Sequence, residues 1–238
     1  MKPPLLILLL LSAYFLSAQR IDSLNTAKNC SYMTEEEKEM VYEINRVRSN
    51  PSSYLQYIEP MLKQAEEDIK KYGKGERNYS LTHTTSTKNG VEVKKIDTNW
   101  HYANEEELKA LSTLVDDLKK LGSLSVLKPD SGIYLAAKKH TNDQLKHKWR
   151  LLHKGSDGSW PWTRITYYSP AMKHGNENIA GSSGVSTPRS TVIQLLIDAG
   201  ITHYGHRYNL LDPQWTHVAC VTSVFERMKY WIQNFGAK

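Results

Sequence analysis

The end of the chain decides the fold class. Residues 215–224 and 230–235 are rich in Val, Thr, Trp, Tyr, Ile and Phe, residues that suit a pleated surface. Glu226, Arg227, Met228 and Lys229 turn between them, so the two strands run antiparallel. Residues 173–184 form a loop or short strand carrying Glu177 and complete a small sheet. Most of the chain upstream reads as helix. Helices that outnumber and precede the strands imply an α+β layered fold, not alternating βαβ units.

The helices announce themselves by caps and apolar spacing. Thr34 and Glu37 form a capping box, followed by Met40, Val41, Ile44 and Val47. Asn50 caps a second helix with Pro51 at its first position, and Pro60 predicts a kink in it. Leu55, Ile58, Leu62, Ala65 and Ile69 carry its apolar stripe. In this first helix Asn45, Arg46 and Arg48 read as structural or solvated. Asn104 and Glu107 make another capping box, and Gly122 ends the helix that it starts. Asp130 caps residues 131–147, where Ala136 and Ala137 imply a closely packed neighbour. His140 on that face is either a core histidine bonded to backbone or a residue beside a cleft. Ser159 and Pro161 open a short helix with Trp160, Trp162, Arg164 and Ile165. Trp162 reads as a core aromatic in preference to a cleft wall, and Arg164 as a clamp on a carboxylate. Thr187-Pro188 starts the last long helix, which ends near Asp198.

The 238 residues suit one domain and bury a core without staples. The formal charge is +6, but 31 basic residues are interspersed with 25 acidic ones. No Lys/Arg run interleaved with aromatics is present, which argues against nucleic acid as a partner. Lys2, the apolar run 5–11 extended through 13–16, and Ser17-Ala18 read as an export leader cut before Gln19. A retained anchor is the alternative, although the apolar run is short for a span. The expected layout is a leader over 1–18, a tail over 19–33 and a single domain over 34–238. The polar stretch 70–104 reads as an insertion, with Lys88-Asn89-Gly90 as a hairpin turn and His83 and His101 as surface histidines. No span follows the leader, so the expected location is outside the cell, or the periplasm of a bacterium. There Cys30 and Cys220 either pair across a very long loop or remain two separate thiols.

Candidate chemistry gathers in residues 153–213. His153-Lys154-Gly155-Ser156-Asp157-Gly158 opens the stretch, Glu177-Asn178-Ile179-Ala180 lies in its middle, and Gly205-His206-Arg207 follows. Imidazole and carboxylate together can hold a divalent metal or pass a proton. The histidines are too far apart in sequence for a local metal motif. Asp198 stands on a helix C-terminal turn, where the dipole disfavours a carboxylate. Either a cation in the cleft or a bond to Arg207 or a nearby amide would explain it.

Taken in order with Arg164-Ile165 and Leu195-Leu196-Ile197-Asp198, these motifs resemble the CAP superfamily, in its secreted bacterial and protist branch. That superfamily includes cysteine-rich secretory proteins, venom antigen 5 and class-one pathogenesis-related proteins. The resemblance covers roughly residues 36–62 and 123–235. It implies a three-layer α–β–α sandwich whose cleft is lined by two histidines and two acids. His153, Glu177 and His206 match three of those positions. Asp198 stands near the fourth, one methylene shorter than the glutamate of compact relatives. His153 and His206 would hold a divalent metal such as Zn2+, with water or carboxylates completing the shell. Relatives carry more disulfides, so this chain would rely mainly on core packing. The implied function is a secreted binding module for a lipid, sterol, glycan or peptide, or a partner of an extracellular protein. The alternative is a metal-dependent extracellular hydrolase with Glu177 as base. No G-x-S-x-G elbow is present, and Ser182, Ser183 and Ser186 read as loop serines. In a third reading the four side chains are only a hydrogen-bonded network that stiffens the cleft.

Overall fold

The computed structural model describes residues 22–73, 77–88, 91–102, 105–149, 151–183 and 186–238, with backbone alone over 77–102. By contacts the chain divides into two units, Met1–Tyr54 with Leu121–Lys238, and Leu55–Lys120.

In the first unit, α1 (Glu35–Ser49) starts at the expected capping box. The Thr34 N–H donates to Glu37 Oε2 at 2.8 Å, and the Glu37 N–H donates to Thr34 Oγ1 at 3.3 Å. Asn50 closes α1, its N–H on Arg46 O, and a 3-10 turn over Pro51–Tyr54 follows. The second helix therefore begins at Leu55 and not at Pro51. Arg48 is buried and donates to the carbonyls of Ser125, Leu210 and Asp212, tying α1 to distant loops. Burial pulls its pKa down to about 10. Asn45 also ties α1 to distant loops: its amide donates to Leu24 O and Leu127 O, and its Oδ1 accepts the Leu127 N–H.

The sheet contains β3 (Lys128–Pro129), β4 (His174–Ser183), β5 (His217–Phe225) and β6 (Met228–Ala237), in the order β3-β5-β6-β4. β5–β6 and β6–β4 are antiparallel, as expected from the turn between them. The turn is tighter than the sequence suggests, with only Glu226 and Arg227 outside the strands and Glu226 at φ 55°. β3 pairs parallel to β5 over two residues, one of them proline, too short to signal itself in sequence.

Alternation along the strands assigns the layers. A Cβ at Gly175 would meet Ile165 at 2.7 Å, and one at Gly236 would meet Ile133 at 2.6 Å. Those isoleucines belong to α5 (Pro161–Tyr168) and α4 (Ser131–Lys146), which cover one face. On the other face the Gln233 amide donates to Met40 Sδ of α1 at 3.2 Å. α6 (Pro188–Ile197) packs on α1, and α7 (Gly205–Leu211) on α6 and β4. The result is an α+β fold in three layers, α–β–α. Gly132 lets α4 and α5 touch, since a Cβ there would lie 2.3 Å from Tyr168 O. Ala137, Trp149, Ile179, Val221, Tyr230 and Ile232 form a buried cluster between α4 and the sheet. Trp149 stacks on Tyr230 at 4.2 Å with 6° between planes, a pair worth ~0.5–1.5 kcal/mol beyond its buried area.

In the second unit α2 (Leu55–Tyr72) continues through Pro60 and packs against α3 (Glu105–Lys120). Lys119 pairs with Glu59 at 3.0 Å. β1 (Arg77–Lys88) and β2 (Val91–Tyr102) pair antiparallel, with Lys88 opposite Val91. Asn89 and Gly90, and the side chains of His83 and His101, lie outside the described residues.

Candidate functional site

The first histidine is presented by a strained connection. After α4 the backbone passes through left-handed conformations at Lys148, Trp149 and Leu151, with φ of 59°, 47° and 53°. Each such residue costs on the order of 1–3 kcal/mol and persists only where neighbours over-determine it. Trp149 is buried on Tyr230. The Leu152 carbonyl accepts from His140 Nε2 at 2.8 Å and from the Gln144 amide at 3.0 Å. His153 follows directly, and its Nδ1 lies 3.1 Å from Glu177 Oε1.

Glu177 is the hub of this half. Arg164 Nη2 donates to Glu177 Oε2 at 3.0 Å and also to His153 O at 3.0 Å. The Asn234 amide, oriented to satisfy both its ends, donates to the same Oε2 at 3.0 Å. His140 Nε2 lies 3.6 Å from Glu177 Oε1. The Glu177 side chain is 0% exposed while that of His153 is 43% exposed. The carboxylate is thus enclosed with both oxygens engaged, and the imidazole reaches solvent. His140 satisfies both readings of it, being backbone-bonded and beside Glu177. Burial lowers its pKa, opposed by Glu177 and reinforced by Arg164. Arg164 is the carboxylate clamp expected of it.

The second pair joins two helices. Asp198 caps the C-terminus of α6 in the left-handed region, φ 55°. Its Oδ2 accepts the His206 N–H at 2.8 Å and the Arg207 N–H at 3.3 Å, at the first turn of α7. Its Oδ1 lies 2.7 Å from His206 Nδ1. A carboxylate that its own helix disfavours is therefore held by the start of the next one. Arg207 supports this from the other side, donating to the Leu196 and Ile197 carbonyls at 2.6 and 2.9 Å. His203 and Tyr204 between the helices are left-handed, at φ 58° and 51°.

One short stretch of β4 holds both halves. The Glu177 side chain takes His153. The Asn178 amide donates to His206 O at 3.2 Å, and Asn209 of α7 donates to Asn178 Oδ1 at 2.8 Å. Asn176 donates to Asn209 Oδ1 at 2.9 Å. The role of Asn178 as a backbone holder is legible in sequence; Asn176, Asn209 and Asn234 are not. Their only signal is position: Asn176 is next to Glu177, Asn209 is three residues after His206, and Asn234 lies opposite Glu177 in the sheet.

Both histidines use Nδ1 on a carboxylate. A carboxylate only accepts, so in the neutral ring Nδ1 carries the proton and Nε2 the lone pair. Among the described residues no protein group bonds either Nε2, and no three His, Cys, Asp or Glu side chains form one ready cluster. Trp162 does not enter the core. It is 49% exposed and stacks on Trp160 at 5.4 Å, because α5 turns Arg164 and Ile165 inward instead. Ser182 and Ser183 belong to β4 and not to a loop. Cys30 and Cys220 are both free thiols.

The molecule thus combines three layers about a small sheet, antiparallel but for the two-residue β3, with two imidazole–carboxylate pairs tied to one strand. The chain belongs to the cysteine-rich secretory protein family, CAP, which matches residues 16–235. Similar solved structures include an outer surface protein from Borrelia burgdorferi, 19% identical, covering 56% of this chain and 94% of that one, with a TM-score of 0.41. Another is an extracellular protein containing an SCP domain from Bacillus anthracis, 14% identical, covering 73% of this chain and 71% of that one, with a TM-score of 0.40. No curated protein matches the chain. Among the described residues no helix is long and apolar enough to cross a membrane.

Proposed function

We propose that the chain is an exported binding module of the CAP family whose His153 and His206 hold a divalent cation, with Zn2+ the best fit. One observation carries this reading: each ring is fixed through Nδ1 by a buried carboxylate, which leaves Nε2 as the available donor. Carboxylate–imidazole pairs of this kind orient metal-bound histidines and raise their basicity. Bound there, the cation supplies Lewis acidity and a polar anchor for a ligand. Glu177 and Asp198 set tautomer and orientation. Two protein nitrogens leave the remaining positions to water or to a ligand, which suits reversible capture of a lipid, sterol, glycan or peptide. The hydrolytic alternative needs Glu177 as an accessible base, and its engaged oxygens and full burial weigh against that role. Export rests on the leader-like residues 1–18, and residues 70–104 are proposed as an insertion within a single domain. Titration of the exported protein with ZnCl2, beside His153→Ala and His206→Ala, tests the assignment. Equal affinity in all three would leave the four side chains as a structural network.

A further inference from the structure

Large apolar side chains exposed in a folded chain need a reason when they cluster. Leu151 (48% exposed), Leu152 (52%), Trp160 (42%), Trp162 (49%) and Tyr167 (78%) fall within one short stretch. The structure holds it together. The Gly155 N–H donates to Ser159 O at 2.8 Å and closes the loop between the leucines and the tryptophans. Lys154 Nζ lies 5.8 Å from the centroid of the Trp160 ring, which stacks on Trp162. Arg164 on the tryptophan-bearing helix grips His153 O, next to Leu152. Trp149 turns inward at the left-handed bend while Leu151 and Leu152 stay outside.

The charge on this stretch is mainly basic, although the chain as a whole is mixed. From Lys146 to Trp162 the sequence carries Lys146, Lys148, Arg150 and Lys154 against one acid, Asp157, which pairs with Lys139 of α4. Lys146, Lys148 and Lys154 are exposed. Leucine and tryptophan side chains set among lysines match the boundary between anionic headgroups and acyl chains, where tryptophan favours the headgroup level. A soluble acidic protein would satisfy the lysines but give the leucines no apolar phase to enter.

We propose that this face, residues 146–149 and 151–162, docks the protein on an anionic lipid bilayer, with Leu151, Leu152, Trp160 and Trp162 entering the interface and the lysines on the headgroups. The proposal is independent of any metal at His153 and His206. It places the exposed edge of His153 next to the lipid surface.

Vesicle co-sedimentation tests it, using phosphatidylcholine vesicles with and without 30% phosphatidylserine. Wild type and variants are compared in the same N-terminal form, so residues 1–18 contribute equally. The protein should partition onto the anionic vesicles and weaken as salt rises. Lys146→Glu with Lys154→Glu should weaken partitioning by more than about 25-fold, from about fivefold for each lysine lost plus repulsion. Leu151→Ser with Leu152→Ser should lower it while leaving the salt dependence in place. Brominated lipid should quench the tryptophan emission of wild type, and the quenching should vanish in Trp160→Phe with Trp162→Phe. All these positions are exposed, and unchanged far-UV circular dichroism confirms folding of each variant. Equal partitioning onto neutral and anionic vesicles, or no effect of either double substitution, would overturn the proposal. So would retention on immobilised glycans by wild type that ignores both kinds of vesicle.

Discussion

Asp198 grips His206 twice, accepting its backbone N–H at 2.8 Å on one carboxylate oxygen and facing its Nδ1 at 2.7 Å with the other. One side chain thereby ends α6, starts α7 and sets the imidazole. If the ring serves a cation, removing the negative charge should weaken the site without displacing the ring. Asp198→Asn should reduce zinc affinity about 10–100-fold, the usual effect of losing a partner of a metal-bound histidine. Calorimetric titration checks it, and undiminished affinity would mean that Asp198 serves only the helix junction.

Arg164 and Glu177 are a buried ion pair, with side chains 1% and 0% exposed. Breaking one partner leaves the other charge uncompensated, which costs about 3–5 kcal/mol. Arg164→Leu should lower stability by that order in urea denaturation. The double substitution Arg164→Leu with Glu177→Leu should recover part of the loss, because no charge is then stranded. A double variant weaker than the sum of the singles would contradict this account of the pair.

His140 should make stability depend on pH. Burial holds its pKa below the ordinary value, with Glu177 opposing and Arg164 adding. The unfolded chain takes up its proton as pH falls through about 6.5, while the native ring stays neutral. The unfolded state then binds more protons, so stability falls on acidification from that point. The loss levels off below the native pKa. Replacing His140 by Gln should flatten the decline between pH 7 and 5 relative to wild type. Parallel declines in the two proteins would show that His140 is not the group responsible.

The layers were legible because their signals are local. The Thr34–Glu37 box, Asp130, Pro161 and Thr187-Pro188 each mark a helix start within a residue or two. α7 is not legible in sequence, because Gly205 and Pro213 make 205–213 look like loop and its seven residues show no full apolar period. β3 was too short to see. The site residues stood out as His and acid in turn-rich sequence, but their partners could not. Which carboxylate meets which ring depends on register across β4 and on a left-handed turn at Asp198, neither encoded by a local pattern. Trp162 misled because an aromatic beside Ile165 reads as core, and only helix phase decides which of them faces inward.

The thiols should differ sharply. Cys220 is fully buried on β5, and burial raises its pKa well above the usual thiol range, with Glu37 adding to it. Cys30 is partly exposed, its Sγ 3.6 Å from Tyr32 Oη. Native protein should take one alkyl group, on Cys30, and denatured unreduced protein two, read by intact mass. No label before reduction would instead reveal a bridge between Cys30 and Cys220.

Titration calorimetry with ZnCl2 on wild type, His153→Ala and His206→Ala at pH 7 tests the central claim most directly. The account predicts saturable binding by wild type and a loss of more than about 100-fold in each variant, beyond the effect of losing an orienting partner alone. Far-UV circular dichroism should stay near native in both, since neither ring lies in the buried core. Zinc affinity that is the same in all three proteins, or absent from wild type, would contradict it.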